Sequence, residues 1–196
     1  MTIDDFDVLV ATEEHVGFAR EICDEMESSA RARGTGIARR TEEYVAGKMR
    51  EGKAVIAFHK DGTWAGFSYI ETWGHGRYVA NSGLIIRPEF RKLGLAKAIK
   101  IRTFFLSLDK FPGAKLFGLT TGLPVMKINT EIGYRPVIYA ELTDDENFWK
   151  GCQNCVNYDI LQAKGRKNCL CTAMLFDPEV DTIKVERPGD FKVITK

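Results

Sequence analysis

Residues 84–96 read Leu-Ile-Ile-Arg-Pro-Glu-Phe-Arg-Lys-Leu-Gly-Leu-Ala. The aliphatic start is typical of the end of a strand, the middle is a basic turn, and the last residues predict the start of a helix. The first N–H groups of a helix lack intrahelical acceptors and therefore attract anions. Gly94 and Ala96 are small enough to admit a phosphate to the main chain, and Arg91 and Lys92 add positive charge. The stretch predicts an anion site, although a basic loop before an amphipathic helix fits it equally well.

Strand and helix patterns alternate on both sides of this stretch. Strands are predicted at residues 6–10, 54–58, 64–73, 78–86, 115–121 and 136–139. Helices are predicted from Thr12, from Thr41 to Gly52, and over residues 95–108 and 124–132. Asp61-Gly62 and Gly74-His75-Gly76 are turn signals between the three central strands, which favours an antiparallel meander. A meander followed by a crossover helix and a further strand predicts an α/β (α+β) fold with a mixed sheet.

The spacing of Ile86, Pro88, Arg91, Gly94 and Ala96 resembles the acyl-CoA signature of the GNAT N-acetyltransferases. In that signature, arginine, two residues, glycine, one residue and glycine or alanine follow one another. The order of elements extends the resemblance over roughly residues 6–140. The resemblance implies a GNAT-like fold and an acetyl-CoA, or other acyl-CoA, held by main-chain groups. The cofactor-binding residues that it implies are Leu84, Ile85, Ile86, Arg91, Lys92, Leu93, Gly94, Leu95, Ala96 and Asn129.

Acyl transfer to nitrogen needs a neutral amine, a donor for the oxyanion and a proton for the leaving thiolate. By resemblance, the oxyanion donor is a main-chain N–H of the strand at residues 84–86. Glu71, His75 and Tyr78 flank the predicted hairpin and are candidates for the catalytic base, although each also fits a structural or solvated role. Many relatives place a tyrosine acid in the helix before a Gly-Phe or Gly-Tyr pair. Asn129 occupies that position here, so the sequence departs from the family pattern.

Arg39 and Arg40 lie in a loop between the first two predicted helices, where GNAT relatives bind the acceptor. Guanidinium groups are suited to gripping a carboxylate, and a solvated basic loop is the alternative. Leu119-Thr120-Thr121 followed by residues 133–137 is similar to a stretch of bacterial N-acetylglutamate synthases. Together these features favour a small-molecule amine substrate, such as the amino acid glutamate. The acyl group is acetyl or a longer one such as succinyl.

Four of the five cysteines form two close pairs, Cys152-x-x-Cys155 and Cys169-x-Cys171, with thirteen residues between them. Two thiolates from each of two turns predict a tetrahedral zinc site. Such a zinc is structural, because four protein ligands leave no open position for catalysis. Reduced, partly buried cysteines and an iron–sulfur cluster are the alternatives. We expect a GNAT-like domain at residues 1–142 and a cysteine-rich C-terminal extension at residues 143–196.

Composition limits the classes of function. The 196 residues include 28 Lys plus Arg and 27 Asp plus Glu, which gives a net charge of +1. A near-neutral chain is not expected to bind nucleic acid, and the absence of a signal peptide or a long apolar run predicts a cytoplasmic protein without membrane contact. A homodimer is compatible with this composition, which does not fix the oligomeric state. A non-catalytic acyl-CoA sensor, a protein N-acetyltransferase and a zinc-knuckle interaction module remain alternatives to a small-molecule N-acetyltransferase.

Overall fold

The computed structural model describes residues 1–34 and 40–189, which build one mixed sheet with helices around it. The strands are β1 (Phe6–Val10), β2 (Ala54–His59), β3 (Trp64–Trp73), β4 (Tyr78–Ile86), β5 (Lys115–Thr120), β6 (Arg135–Val137) and β7 (Thr172–Phe176). The helices are α1 (Ala19–Arg33), α2 (Glu42–Arg50), α3 (Leu95–Lys110), α4 (Leu123–Ile132), α5 (Glu146–Lys150) and α6 (Tyr158–Ala163). None of these described helices combines the length and the apolar character needed to cross a lipid bilayer.

The seven described strands follow the order β1-β2-β3-β4-β5-β7-β6 across the sheet. Neighbouring strands are antiparallel except for β4 and β5, which are parallel. A parallel pair cannot be joined by a tight hairpin, and α3 supplies the crossover that it needs. The α/β fold with a mixed sheet, predicted from the meander and the helix that follows it, is thereby confirmed.

Two apolar cores lie on the sheet, and the alternation of strand side chains separates them. Tyr69 of β3 packs in one core with Ile22 of α1 and Met49 of α2. Its neighbour Ile70 belongs to the other core, which contains Ile99 of α3. Successive side chains of a strand point to opposite faces, so each residue serves a different layer of helices. Burial of each such side chain contributes roughly 1.5–3 kcal/mol, which makes both layers necessary for stability.

Most element starts agree with the residues that predict them. The helix predicted to begin at Thr41 begins at Glu42, and the Thr41 hydroxyl caps it by accepting a hydrogen bond from the Tyr44 N–H at 3.2 Å. The helix predicted from Thr12 is different, because a 3-10 turn over Glu13–Phe18 comes first and α1 begins only at Ala19. The His15 ring accepts the Thr12 N–H at 3.0 Å and so closes this tighter first turn.

The last strand, β7, lies inside the segment predicted to be an extension. It pairs with both β5 and β6, so the division predicted at residues 142/143 is not a boundary of the sheet. A third core joins β7 to Tyr139, Trp149 and Leu161. The Trp149 indole N–H donates to the Thr143 carbonyl at 2.9 Å and ties α5 to this core. No strand is predicted here from the sequence, because the five residues of β7 directly follow a cysteine-rich loop.

Lys100 of α3 is buried, with 3% of its surface exposed, and its Nζ lies 5.5 Å from the centre of the Tyr134 ring. Burial lowers the pKa of Lys100 from its usual 10.5 to about 8. Between these values the unfolded chain binds more protons than the folded one, so stability rises with pH from 8 to 10.5. Below pH 8 the buried charge destabilises the fold by up to about 3 kcal/mol.

We therefore expect Lys100→Met to raise the melting temperature at pH 7 by several degrees. The gain should shrink as the pH rises from 8 to 10.5, because the buried amine is then neutral in the wild type. Thermal unfolding at pH 7 and pH 9.5 measures both effects. Lys97→Met on the same helix is the control, since Lys97 is exposed and pairs with Glu131. Equal gains at the two pH values would contradict the prediction.

Candidate active site

The sheet opens between its two parallel strands. The β4–β5 ladder begins at Tyr78 and Lys115 and ends at Ala80 and Phe117. β4 nevertheless continues to Ile86, while β5 remains paired with β7 on its other edge. Beyond Ala80, the edge of β4 that faces β5 has no strand partner among the described residues. An extended ligand with amide groups can pair with such an edge in the way an added strand does.

The loop before α3 presents main-chain N–H groups at the same end of β4. Lys92 and Gly94 both have left-handed backbones, with φ of 66° and 84°. Among the residues that the structure describes, no side chain caps α3, whose N-cap residue is Gly94, so the helix start keeps donors for a ligand. A Cβ built on Gly94 meets nothing within 4 Å. The predicted anion site therefore has free donors, open space and the positive end of the helix dipole.

The Arg91 side chain is held by protein groups. Its Nε donates to the Ile86 carbonyl at 3.1 Å, and its guanidinium donates to Ser29 Oγ at 2.7 Å and to Glu25 at 3.3 Å. These contacts join α1 to the end of β4 and fix the loop that contains Gly94. The Arg91 guanidinium, which the sequence predicts as a positive charge for a phosphate, therefore positions the loop through these contacts.

Asn129 of α4 has an acceptor without a partner. The residue is 2% exposed, and its Oδ1 has no hydrogen-bond partner among the described residues. Leaving such a group unpaired costs roughly 1–3 kcal/mol, so a ligand that donates to it gains that energy. The main-chain carbonyl of Asn129 is occupied, because it accepts from the Gly133 and Tyr134 N–H groups. A side-chain amide here fits a ligand that carries N–H groups, as the pantetheine arm of CoA does.

A β-bulge interrupts the pairing of β3 and β4 above the open edge. Phe67 pairs with Ile85 and Tyr69 with Ser82, so β4 holds one extra residue in this interval. Gly83 lies within it and has a φ of 67°. A Cβ on Gly83 would lie 2.3 Å from Cε1 of the Tyr69 ring, a distance that no real side chain tolerates. The bulge breaks the ladder, so main-chain N–H groups near residues 82–86 can point toward the opening.

Five polar side chains meet on the α2 side of the sheet near this bulge. Arg40 Nε donates to the Tyr69 hydroxyl at 2.7 Å, and Lys48 Nζ donates to Glu71 Oε1 at 2.7 Å. The Tyr44 hydroxyl donates to the other oxygen of Glu71. The Arg40 guanidinium also lies 5.3 Å from the centre of the Tyr44 ring. Two cations and one carboxylate thus share a half-buried site, which suits a substrate with both charges.

The two tyrosines of this cluster remain protonated at neutral pH. Burial, and the neighbouring Tyr69, raise the pKa of Tyr44 far above its usual value of 10. Burial likewise raises the pKa of Tyr69. Both hydroxyls therefore act as hydrogen-bonding groups that hold Glu71 and Arg40, and neither is suited to supply a proton at pH 7.

The other candidates for the base lie further from the bulge. His75 is exposed in the turn between β3 and β4, and Tyr78 packs edge-on against Phe117. Gly83 lies five positions after Tyr78 along the strand, a distance of roughly 16 Å. Glu71 pairs with Ala80 across the ladder and lies nearer to the bulge. Arg39, the second arginine of the predicted acceptor loop, lies outside the described residues.

The four C-terminal cysteines come together in the fold. Cys152, Cys155, Cys169 and Cys171 line one pocket with Tyr139. All are unpaired thiols, and burial, followed by the other three thiols, raises the pKa of Cys171 to about 12. Within residues 1–34 and 40–189, no group of three or more His, Cys, Asp or Glu side chains is arranged to hold a metal ion. The placement of the thiols does not by itself support the predicted zinc.

Several residues of the site are missing from the sequence-based candidates. Gly83 is an isolated glycine inside a strand pattern, and such a glycine in a sequence indicates a bulge or a close approach of another group to the strand. Tyr69 sits in the same strand two residues before Glu71. Tyr44 and Lys48 are four residues apart on α2 and so share a face, but only the packing of α2 on β3 shows that this face meets Glu71.

Comparisons with known proteins give the fold a name. No protein-family model matches the sequence, and a search of curated proteins returns no match. Among solved structures, N-acetylglutamate synthase from Neisseria gonorrhoeae, complexed with coenzyme A and N-acetyl-glutamate, superposes with a TM-score of 0.62 at 16% identity. The match covers 88% of this chain but 35% of the synthase, so the chain spans about a third of that protein.

Two further matches cover most of both chains. A Mycobacterium tuberculosis protein solved in complex with CoA has a TM-score of 0.61 at 16% identity, over 87% of this chain and 98% of its own. A GNAT superfamily phosphinothricin acetyltransferase from Sinorhizobium meliloti, in complex with AcCoA, has a TM-score of 0.59 at 13% identity, over 88% of each chain. With its open β4–β5 edge and uncapped α3, the chain has the fold of the GNAT N-acetyltransferases.

Proposed function

We propose that this chain is an acyl-CoA-dependent N-acyltransferase that transfers an acetyl or similar acyl group to the amino group of an amino acid. The observation that supports the donor most strongly is the combination of an open β4 edge with an uncapped start of α3. Both features lie at the carboxyl end of β4, and the solved proteins with this fold include complexes with CoA and AcCoA. The acceptor is inferred from the cluster around Glu71.

The acyl donor fits the opening in one orientation. Its pyrophosphate would lie on the N–H groups of residues 92–96, where the helix dipole and the open space at Gly94 favour an anion. Its pantetheine amides would pair with the free edge of β4 and with the unpartnered Oδ1 of Asn129. The thioester would then reach the bulge at Gly83. Arg91 supports this arrangement by fixing the loop to α1.

The donor supplies a thioester carbonyl, and the chain supplies positioning, a proton acceptor and hydrogen-bond donors. Glu71 would bind the ammonium group of the acceptor and take its proton, so that the neutral amine can attack. Main-chain N–H groups beside the bulge would stabilise the negative charge that develops on the carbonyl oxygen. Tyr44 and Lys48 hold Glu71 in place. As the amide forms, the carbon–sulfur bond breaks and the remaining proton of the attacking nitrogen passes to the departing sulfur, so that CoA leaves as the free thiol.

The same cluster favours an acceptor with a carboxylate. Arg40 and Lys48 bring two positive charges beside Glu71, so an amino acid can place its carboxylate on the cations and its ammonium on the acid. An amine without a carboxylate would form no ion pair with Arg40 or Lys48. Glutamate, with two carboxylates, uses this charge pattern best. The gonococcal structure with the same fold was solved with N-acetyl-glutamate, which supports this choice.

A thiol-release assay with acetyl-CoA tests the proposal. We expect release with L-glutamate and much slower release with amines that lack a carboxylate. Glu71→Gln should lower kcat by roughly 100-fold, the usual contribution of a general base, and leave the affinity for acetyl-CoA unchanged. Glu51→Gln is the matched control, because Glu51 lies at the end of α2 and pairs with Lys53. Comparing the rates of thiol release from acetyl-CoA and from succinyl-CoA determines which acyl group the enzyme transfers.

The outcomes separate the alternatives. Binding of acetyl-CoA without thiol release to any amine would contradict the enzymatic proposal and indicate a sensor, a reading that Asn129 in place of a tyrosine acid also permits. Release that requires a polypeptide, with none for free amino acids, would indicate a protein N-acetyltransferase. Full activity of Glu71→Gln would exclude Glu71 as the catalytic base. It would leave the proposal for the acyl-CoA site unaffected.

A further inference from the structure

The cysteine pairs belong to two separate turns that the fold brings to one pocket. Cys152 and Cys155 flank a turn closed by a hydrogen bond of 2.9 Å from the Cys155 N–H to the Cys152 carbonyl. Cys169 and Cys171 lie directly before β7. Thirteen intervening residues, which include α6, bring the second pair back to the first. Two close thiol pairs on separate turns are the ligand set that four-cysteine structural zinc sites use.

The described side chains that line the pocket carry no positive charge, and Arg40 lies outside this lining but within electrostatic reach of Cys152. Besides the cysteines the pocket is lined by Leu119, Tyr139, Asn157, Tyr158 and Leu161, none of which carries a positive charge. The Tyr139 hydroxyl is already used, since it donates to the Cys171 carbonyl at 2.8 Å. Four thiols in an apolar pocket that lacks a cationic side chain are suited to a soft divalent metal.

We propose that Cys152, Cys155, Cys169 and Cys171 bind one structural Zn²⁺. In the described residues the thiols are not arranged as a metal-binding group, so binding requires the two turns to close on the ion. Both turns are short loops whose thiols are only half-buried, which allows this closure. A reducing cytoplasm, the compartment that the sequence predicts, keeps such thiols available for a metal.

The metal would stabilise the part of the chain that adds β7 to the sheet. Cys171 immediately precedes β7, which fills the position between β5 and β6. The same segment reaches the acceptor side of the sheet, because the Asp145 carboxylate accepts the Gly74 N–H at 3.0 Å in the β3–β4 turn. Loss of the metal should therefore loosen the third core and the turn beside the acceptor site.

Metal analysis of the untagged full-length chain tests this proposal. We expect about one zinc per chain, bound in a site of four thiolates. The paired change Cys152→Ser with Cys155→Ser should reduce zinc to a trace, whereas Cys23→Ser should leave it unchanged, because Cys23 lies on α1 away from the pocket. A strong chelator should lower the melting temperature of the wild type by 5 °C or more, by linkage of metal binding to folding.

Measurements on the wild type keep the proposal testable if the paired variant fails to fold. Blocking the thiols of the native chain with a mercurial reagent should release zinc in step with four thiols. Cobalt substituted for zinc should show thiolate-to-metal charge-transfer bands and a tetrahedral visible spectrum. A folded chain with no zinc and reactive thiols would overturn the proposal, as would disulfides that join these cysteines or bound iron with sulfide. None of these readouts depends on acyl transfer.

Discussion

Replacing Gly94 by glutamate should abolish the stabilisation of this chain by acetyl-CoA. At a hundred times its dissociation constant, acetyl-CoA should stabilise the wild type by about 2.7 kcal/mol, a shift of roughly 5–10 °C in melting temperature. A carboxylate at the start of α3 would occupy the space beside Gly94 and repel a pyrophosphate from the N–H groups. We expect binding to weaken by at least roughly 100-fold, or about 2.7 kcal/mol, which thermal unfolding with and without acetyl-CoA measures.

Gly113→Glu is a close control for this substitution. Gly113 follows the other end of α3, has a φ of 79°, and has open space around a built Cβ, as Gly94 does. Both variants therefore carry the same backbone strain and the same added charge. Only the Gly94 variant should lose the response to acetyl-CoA. An equal response in the two variants would place the pyrophosphate away from α3 and remove the main support for the proposed donor site.

The sequence predicts the part of the fold whose elements carry local signals. The limits of β1, β3 and β4 follow from apolar runs bounded by turn residues, and Thr41 marks α2 through its side chain alone. β7 escapes prediction because its pairing with β5 is a contact between distant parts of the chain.

The donor site can be predicted from local sequence to a greater extent than the acceptor site. Residues 84–96 are contiguous, so strand, loop and helix start can be read together and the loop can be compared with a known signature. The acceptor cluster combines α2, β3 and Arg40, which precedes α2 in the chain. Its charges become a site only when α2 packs on β3. The sequence predicts Glu71 and Arg40 as separate candidates. The fold supplies Tyr44 and Lys48 as hydrogen-bond partners of Glu71, and Tyr69 as the partner of Arg40.

Gly83 connects the two sites, because Tyr69 packs on the bulge and its hydroxyl binds Arg40. We expect Gly83→Ala to destabilise the chain by about 3–5 kcal/mol, or roughly 10 °C in melting temperature. The new Cβ would lie 2.3 Å and 2.6 Å from two carbons of a ring that is only 1% exposed, and 3.1 Å from Met26 Cε. Thermal and urea unfolding measure the loss.

Gly76→Ala separates this steric effect from backbone strain. Gly76 lies in the β3–β4 turn with a φ of 84° and nothing within 4 Å of a built Cβ, so its variant should lose only about 1–2 kcal/mol. Tyr69→Leu removes the ring edge and should itself be destabilising through a cavity. Combined with Gly83→Ala, it should cost clearly less than the sum of the two single variants, because the clash is gone. If the losses in the free energy of unfolding were strictly additive, the Tyr69 ring would not clash with the new Cβ at residue 83. The proposed contact between the acceptor cluster and the bulge would then be contradicted.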